Sequence, residues 1–365
     1  MTASIEVDPT PGEAWDAFVG DRPGATAYHL SPWATILRAA YRFRPVYMAM
    51  RGPDGAITGV MPLVERGGLV SGSRLNSLPM ARSGGPLAGS REQEAALIDA
   101  ACQLVREGRA DRLTVYSLVS GYESMVPGLA SHTDDPPSWR IPLPGDDASF
   151  LDRVKSHSKS RLRDIAKAER SGLVVREGRS TKDLRSFYRL YLMTMKKHRI
   201  LPRSYRQLSV SMRLLEPQRV FRLMLVEHEG RPVAGGIFHF WGAGAELLYN
   251  GSDDRYYDLR PNHALYWRTI QLCMEERFGY LDLGLAVKGS SLAEFKRRWS
   301  GEPTARFRYM YPSRADASEG GGDPERSIGL AWRLAHDDDW LPARAWKRTP
   351  LLATRIAGTV AYRYL

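Results

Sequence analysis

The chain has 365 residues and a mass of 41.0 kDa, enough at roughly 100–200 residues per domain for two domains. Hydrophobic residues make up 43% and charged residues 25%, which excludes a disordered, collagenous or low-complexity chain; two cysteines, Cys102 and Cys273, exclude a disulfide framework and form no C-x-x-C pair for zinc or redox chemistry. Lys and Arg number 52 against 41 Asp and Glu, a net charge of +11, so polyanions or anionic membrane surfaces are the favoured partners.

Residues 11–21 (PGEAWDAFVGD) read as a short helix. SPWATILRAAYRF follows, with Ser31 as N-cap and Pro32 at the first helical position. PVYMAMR, the turn at Gly52–Gly55 and AITGVMPLVE read as a hairpin. RLNSLPM reads as a strand, EQEAALIDAACQLVREG as an amphipathic helix ending at Gly108, and RLTVYSL as a buried strand. Four prolines between 136 and 148 mark the passage to a second unit, placing domains at 1–145 and 146–313. The stretch 150–172 is one strongly basic helix on this reading. After it come a strand (LVVREG), two helices (181–200 and 204–217), three strands turning at Gly230 and Gly242, a helix ending at Gly279, a strand (YLDLGLA) and a short basic helix (SLAEFKRRWS). That order suits an α+β fold with a mostly antiparallel sheet, and the first unit repeats a shorter version of it. Residues 314–365 read as a Gly- and Ser-rich link followed by a basic tail, which either packs on its domain or lies on an anionic membrane.

The N-terminus has no basic region followed by an apolar core, and no stretch reaches the roughly 18 apolar residues of a membrane span. A cytoplasmic location is therefore expected, with the tail as a peripheral membrane contact. Phosphate-loop, zinc-protease and nucleophile-elbow motifs are absent. His228 and His239 fall on neighbouring strands and read as structural, the cysteines as core thiols; no metal or cofactor is called for. What remains are three basic clusters: residues 151–170, residues 193–206, and Lys296-Arg297-Arg298. They are either solvated helix faces or a converging grip on a phosphate-rich ligand.

The run from Tyr249 to Pro303 resembles the Fem family of aminoacyltransferases and its FemAB-like relatives. The resemblance rests on Tyr249, Gly251 and Ser252 at a strand end, Pro261 before a helix, Asp282-x-Gly284, and the pair Phe295-Lys296. The basic stretch 156–175, the segment 191–208 and the opening helix and hairpin (31–65) are similar to further parts of that family. The segment 346–358 resembles a tail of FemAB-like proteins linked to exopolysaccharide and exosortase systems. The resemblance implies two tandem GNAT-type domains and transfer of an amino acid from aminoacyl-tRNA to an amine on a cell-wall precursor. It implies Lys296 as the cation stabilising the carbonyl oxygen or the tRNA end, and Tyr249 as the residue orienting the amine. Phe295 is then a platform for the terminal adenosine, with Lys159, Arg161, Arg163 and Arg297 on the tRNA. Arg203, Tyr205, Gln207, Trp33 and Arg38 belong to the acceptor side.

The departures lie on the acceptor side. Leu37, with Arg38 beside it, stands where cell-wall enzymes carry a lysine; Gln207 replaces a tyrosine; Ser117 and Leu118 replace an acid. The expected acceptor is thus an envelope or secondary-metabolite amine other than the nucleotide-linked cell-wall pentapeptide. An acyl-coenzyme-A donor is the alternative. Against it, His263 stands where the pyrophosphate turn needs glycine and Pro261 removes an N–H. Gly85-Pro86 in the first unit reads as an exposed turn. A third reading is a non-catalytic RNA- or membrane-binding module.

Overall fold

The computed structural model describes residues 4–68, 72–79, 81–132, 136–313, 346 and 349–364. They form two compact units. One holds the residues up to Pro136 together with 305–313 and 362–364; the other holds Pro137–Thr304 together with 346 and 349–361. The expected link over 314–330 lies outside the described residues.

In the first unit the chain runs β1 (Ser4–Val7), α1 (Glu13–Gly20), α2 (Pro32–Tyr41), β2 (Arg44–Arg51), β3 (Ile57–Gly68), β4 (Gly72–Asn76), β5 (Leu87–Ala88), α3 (Arg91–Arg106), β6 (Arg112–Ser117) and β7 (Ala130–His132). The sheet order is β1-β2-β3-β4-β6, then β15 (Phe307–Tyr311), then β7, with β5 on β3. Only β4 and β6 pair in parallel. Met48, Leu63, Val115, Ile98 and Cys102 share its core, and burial pushes the Cys102 thiol up to about 12. Ser31 precedes α2 as expected, but its hydroxyl donates to Asp16 Oδ2 at 2.6 Å, tying α2 to α1 instead of capping. Gly85 and Pro86 are buried, not an exposed turn: the Gly85 carbonyl lies 3.1 Å from Nε2 of the buried His29.

The second unit runs β8 (Ser138–Pro142), α4 (Asp147–His157), α5 (Lys159–Arg170), β9 (Leu173–Gly178), α6 (Thr181–His198), α7 (Tyr205–Leu215), β10 (Phe221–His228), β11 (Arg231–Trp241), β12 (Gly244–Ser252), α8 (Pro261–Glu275), β13 (Tyr280–Leu285), α9 (Ser291–Arg297), β14 (Glu302–Thr304) and most of α10 (Leu351–Tyr364). The order is β14-β8-β13-β12-β11-β10-β9, with β12 and β13 parallel. Each sheet thus has four antiparallel strands, one parallel step and two further antiparallel strands. The strand beyond the parallel step is β15 in the first sheet and β8 in the second.

That arrangement moves the boundary from 145/146 to Pro136/Pro137. Residues 138–142 form a strand whose Ile141 enters the second core, and the flanking prolines bracket the strand without interrupting its hydrogen bonds. Residues 305–313 return to the first unit. The basic helix over 150–172 is two helices, because Ser158 is extended (φ −164°, ψ 101°) and starts a new helix. His228 and His239 sit at opposite ends of the β10–β11 pair. Among the described residues no helix is long and apolar enough to cross a membrane.

One sheet face packs Phe238, Leu247, Leu281 and Leu283 against Phe150 of α4, Ile165 of α5 and Ile270 of α8. On β12, Gly251 touches the backbone of α6: a Cβ there would lie 2.4 Å from the Tyr191 nitrogen and 2.6 Å from the Leu190 carbonyl carbon. Backbone atoms cannot give way as a flexible side chain can. Gly251→Ala is therefore expected to lower the unfolding free energy by about 1–3 kcal/mol, the usual range for overpacking. Urea unfolding measures it, and an unchanged midpoint would contradict the contact.

Candidate active site

The parallel pair at the centre of the second sheet is short. Gly244–Glu246 of β12 pair with Tyr280–Asp282 of β13, and no pairing follows. Beyond that point β12 carries a bulge: Tyr249 faces Ile237, and Leu247 faces Phe238, so Leu248 is the extra residue. Bulges re-aim side chains and often border functional sites. β13 bends where Asp282 Oδ1 accepts the Gly284 N–H at 2.8 Å, a turn in which Gly284 takes φ +87°. The same carboxylate accepts from the Ser138 hydroxyl at 2.6 Å and from Arg140 Nε at 3.1 Å. The Asp-x-Gly spacing is thus the strand-ending device of β13.

Lys296 closes this bend. It is 4% exposed, and its ammonium donates to the carbonyls of Gly284 and Leu285 at 2.9 and 3.0 Å. These carbonyls offset the cost of burying the charge. α9 holds it there, capped by Ser290, whose hydroxyl accepts the Ala293 N–H. The cation is fixed at the end of the diverging strand.

The tyrosines of α6 gather the expected acceptor residues. The Tyr191 hydroxyl accepts the Arg203 N–H at 3.0 Å, and the Tyr188 hydroxyl donates to the Arg203 carbonyl at 2.8 Å. Tyr205 packs edge-on to Tyr188 at 5.2 Å. Gln207 is buried on α7 and donates to the Tyr249 hydroxyl at 3.0 Å, while the Tyr249 ring lies 5.5 Å from Tyr191. Arg203, Tyr205, Gln207 and Tyr249 therefore share one neighbourhood. Trp33 is a core residue of the first unit, 3% exposed, with its ring 4.8 Å from Tyr28. Arg38 is an exposed residue of α2.

The expected donor residues divide. Arg161 is 3% exposed. Its guanidinium lies 4.6 Å over the Phe295 ring and 4.9 Å over Trp299, donates to the Phe295 carbonyl at 3.3 Å and bonds His263 Nε2. The partly buried Phe295 thus packs on the buried Arg161. Burial, reinforced by Arg298, draws the Arg161 guanidinium down to about 10, with Asp164 opposing. Burial and then Arg161 bring His263 down to about 4. Lys159 and Arg163 are exposed on α5 and make no ion pair among the described residues. Arg297 is exposed and pairs with Glu294 at 2.7 Å.

Sequence reasoning missed a polar row on this sheet face. His239, Glu246, Asp282 and Arg140 stand in register on β11, β12, β13 and β8, the first three 6% exposed or less. The available signal was charged residues alternating with core residues in AELLY and LDL.

His263 and His29 each titrate near 4 in the folded chain, both chiefly because burial disfavours the imidazolium. A depressed histidine contributes stability that is complete above about 6.5 and is lost as pH falls toward 4. Stability is therefore expected to drop between pH 6.5 and 4, with both rings neutral by NMR at pH 5.5. A flat profile over that window, or imidazolium signals at pH 5.5, would contradict the burial of both rings.

Residues 155–297 match the model of the acetyltransferase (GNAT) domain family. That span contains α5 to α9 and the whole β12–β13 divergence. No curated protein matches the chain by sequence. The solved structure of FemX is similar, with a TM-score of 0.68 at 15% identity, covering 84% of this chain and 98% of FemX. L-PGS from Bacillus licheniformis superposes with a TM-score of 0.53 at 13% identity over 90% of this chain and 97% of its own. A C-terminal domain assigned to a lysylphosphatidylglycerol synthetase of Agrobacterium fabrum reaches 0.54 at 12% identity over 88% and 95%. These likenesses show the fold, two GNAT-like units in tandem, and the family match over residues 155–297 shows a GNAT acyltransferase domain in the second unit.

Proposed function

We propose that the protein forms an amide between an aminoacyl group carried on tRNA and an amine of a cell-envelope or secondary-metabolite precursor. The observation that carries this reading is the β12–β13 divergence, with the Tyr249–Gln207 pair on one strand and the Lys296 ammonium at the end of the other. The amine nitrogen attacks the ester carbonyl, the C–N bond forms, the bond to the ribose oxygen breaks, and the amine proton passes to that oxygen. Negative charge that develops on the carbonyl oxygen is stabilised by a cation already in place, which needs no reorganisation during reaction. Tyr249, oriented by Gln207, positions the amine.

Two features favour a tRNA donor over acyl-coenzyme A. A pyrophosphate is held by free N–H groups at a helix N-terminus. At the start of α8, Pro261 has none and the His263 N–H donates to the Arg260 carbonyl. On α5, Lys159, Arg163, Lys167 and Arg170 are all exposed and unpaired among the described residues. They fall on one helical face at spacings of three or four, a stripe suited to a phosphate backbone. The name of the Agrobacterium fabrum neighbour, a lysyl ester of a phospholipid, fits aminoacyl transfer on this fold.

Lys296→Met is expected to lower transfer by about 10²–10³-fold, the usual loss for one oxyanion-stabilising donor, and also to lower the melting temperature, because two buried carbonyls lose their donor; Tyr249→Phe is expected to cost less in transfer. Transfer at the parent rate by folded Lys296→Met would sink the assignment. With charged tRNA, RNase treatment of the donor should abolish product; product that survives it, or that forms from acyl-coenzyme A instead, would overturn the donor.

A peripheral membrane contact is part of the same proposal. Thr354 of α10 is buried, and a Cβ on Gly358 would lie 2.2 Å from the Pro202 carbonyl oxygen. Arg355 lies 5.6 Å over the Tyr205 ring. The opposite face exposes Leu352, Ile356 and Val360, 65%, 56% and 51% accessible, at spacings of four. An aliphatic stripe with basic neighbours suits an anionic bilayer and would bring a lipid-linked acceptor beside Arg203 and Tyr205. Sedimentation with phosphatidylglycerol vesicles should capture the protein, and Leu352→Ser/Ile356→Ser/Val360→Ser should release it. Equal sedimentation of both would remove α10 as the contact.

A further inference from the structure

A cavity of about 370 Å³ opens on the second unit between α6, the start of β11 and the turn after β12. Nothing in the acyl-transfer scheme uses it. Its floor is apolar, with Leu190 and Val233 buried and Tyr256 on the wall. Its rim carries three arginines, Arg189, Arg231 and Arg255, against one carboxylate, Asp253. Asp253 is already engaged: Arg255 donates to it from Nε at 3.0 and 3.1 Å and from Nη2 at 2.6 Å. That bonding holds the Asp253 carboxyl below the usual carboxylate range. The side chains of Arg189 and Arg231 are exposed and make no hydrogen bond or salt bridge among the described residues, although Arg189 adds to the positive field on Asp253.

Three arginines against one carboxylate leave the rim with an excess of positive charge above an apolar, aromatic-walled floor, which selects for two features in one ligand. Arginine forks match phosphate oxygens in paired hydrogen bonds. The floor favours a flat, weakly polar group, which inorganic phosphate lacks. The size lies within the range of small-ligand sites. We infer that this cavity is a nucleotide-binding site, with a phosphate on Arg189 and Arg231 and the base or sugar against Leu190, Val233 and Tyr256. Pairing to Asp253 leaves Arg255 as a wall that sets the width of the mouth.

The probes are AMP, adenosine and inorganic phosphate, titrated separately into the full-length chain by calorimetry. AMP is expected to bind in preference to either fragment, and more weakly as salt rises, since the phosphate contact is ionic at the protein surface. Arg189→Ala/Arg231→Ala should weaken AMP by about tenfold or more, as expected when hydrogen bonds to a charged group are lost, without shifting the melting temperature. Failure of AMP to bind would overturn the inference. Equal affinity for inorganic phosphate, or AMP binding unchanged in the double variant, would do the same. Transfer activity is not the readout, so the outcome stands apart from the proposed reaction.

Discussion

The second unit is organised by the early parting of two parallel strands. β12 and β13 share three registered residue pairs and then separate. Buried strand ends cannot leave carbonyls and N–H groups unpaired. Asp282 meets the need for the Gly284 N–H, and the Lys296 ammonium meets it for the two carbonyls that follow. On the other strand a bulge turns Tyr249 toward Gln207, while Gly251 lets α6 approach. The motif residues are therefore first of all the parts that hold the gap open. The chemical use proposed for them rests on the same placement: a fixed cation on one side and an oriented phenol on the other.

Charge is distributed unequally among the basic clusters. Arg161 and Lys296 are interior residues, held by aromatic faces and backbone carbonyls. Arg297 and Arg298 both pair with Glu294, and Lys197 pairs with Asp254. The exposed stripe of α5 keeps its charge free of such partners. This face thus offers a row of unpaired charge to polyanions, an attraction that salt screening makes strong near the surface and weak beyond about 10 Å.

Much of the element order was legible because local signals were strong. Gly230 and Gly242 end strands with φ of +72° and +61°, and Ser180 with Asp183 forms the capping box that starts α6. Arg203 and Tyr249, placed by the resemblance, and Gln207, a departure from it, stand close together. The break at Ser158 was not legible, since a serine among helix formers carries no stop signal. Nor was the strand placement of β8 and β15, which is settled by long-range pairing rather than local pattern. The burial of Arg161 is not legible, because composition does not show that a cation will be buried under two aromatic rings. The burial of Trp33 is not legible for the complementary reason: a helix tryptophan is core wherever the helix turns it inward.

The account stands or falls on what occupies the gap between β12 and β13. The most direct measurement is a structure with a hydrolysis-resistant aminoacyl-adenosine that mimics the end of a charged tRNA. The aminoacyl carbonyl should lie in the gap, with its oxygen toward Lys296 and its amine-accepting side toward Tyr249. The analogue bound with its carbonyl outside the gap, or an empty gap at saturating analogue, would contradict it.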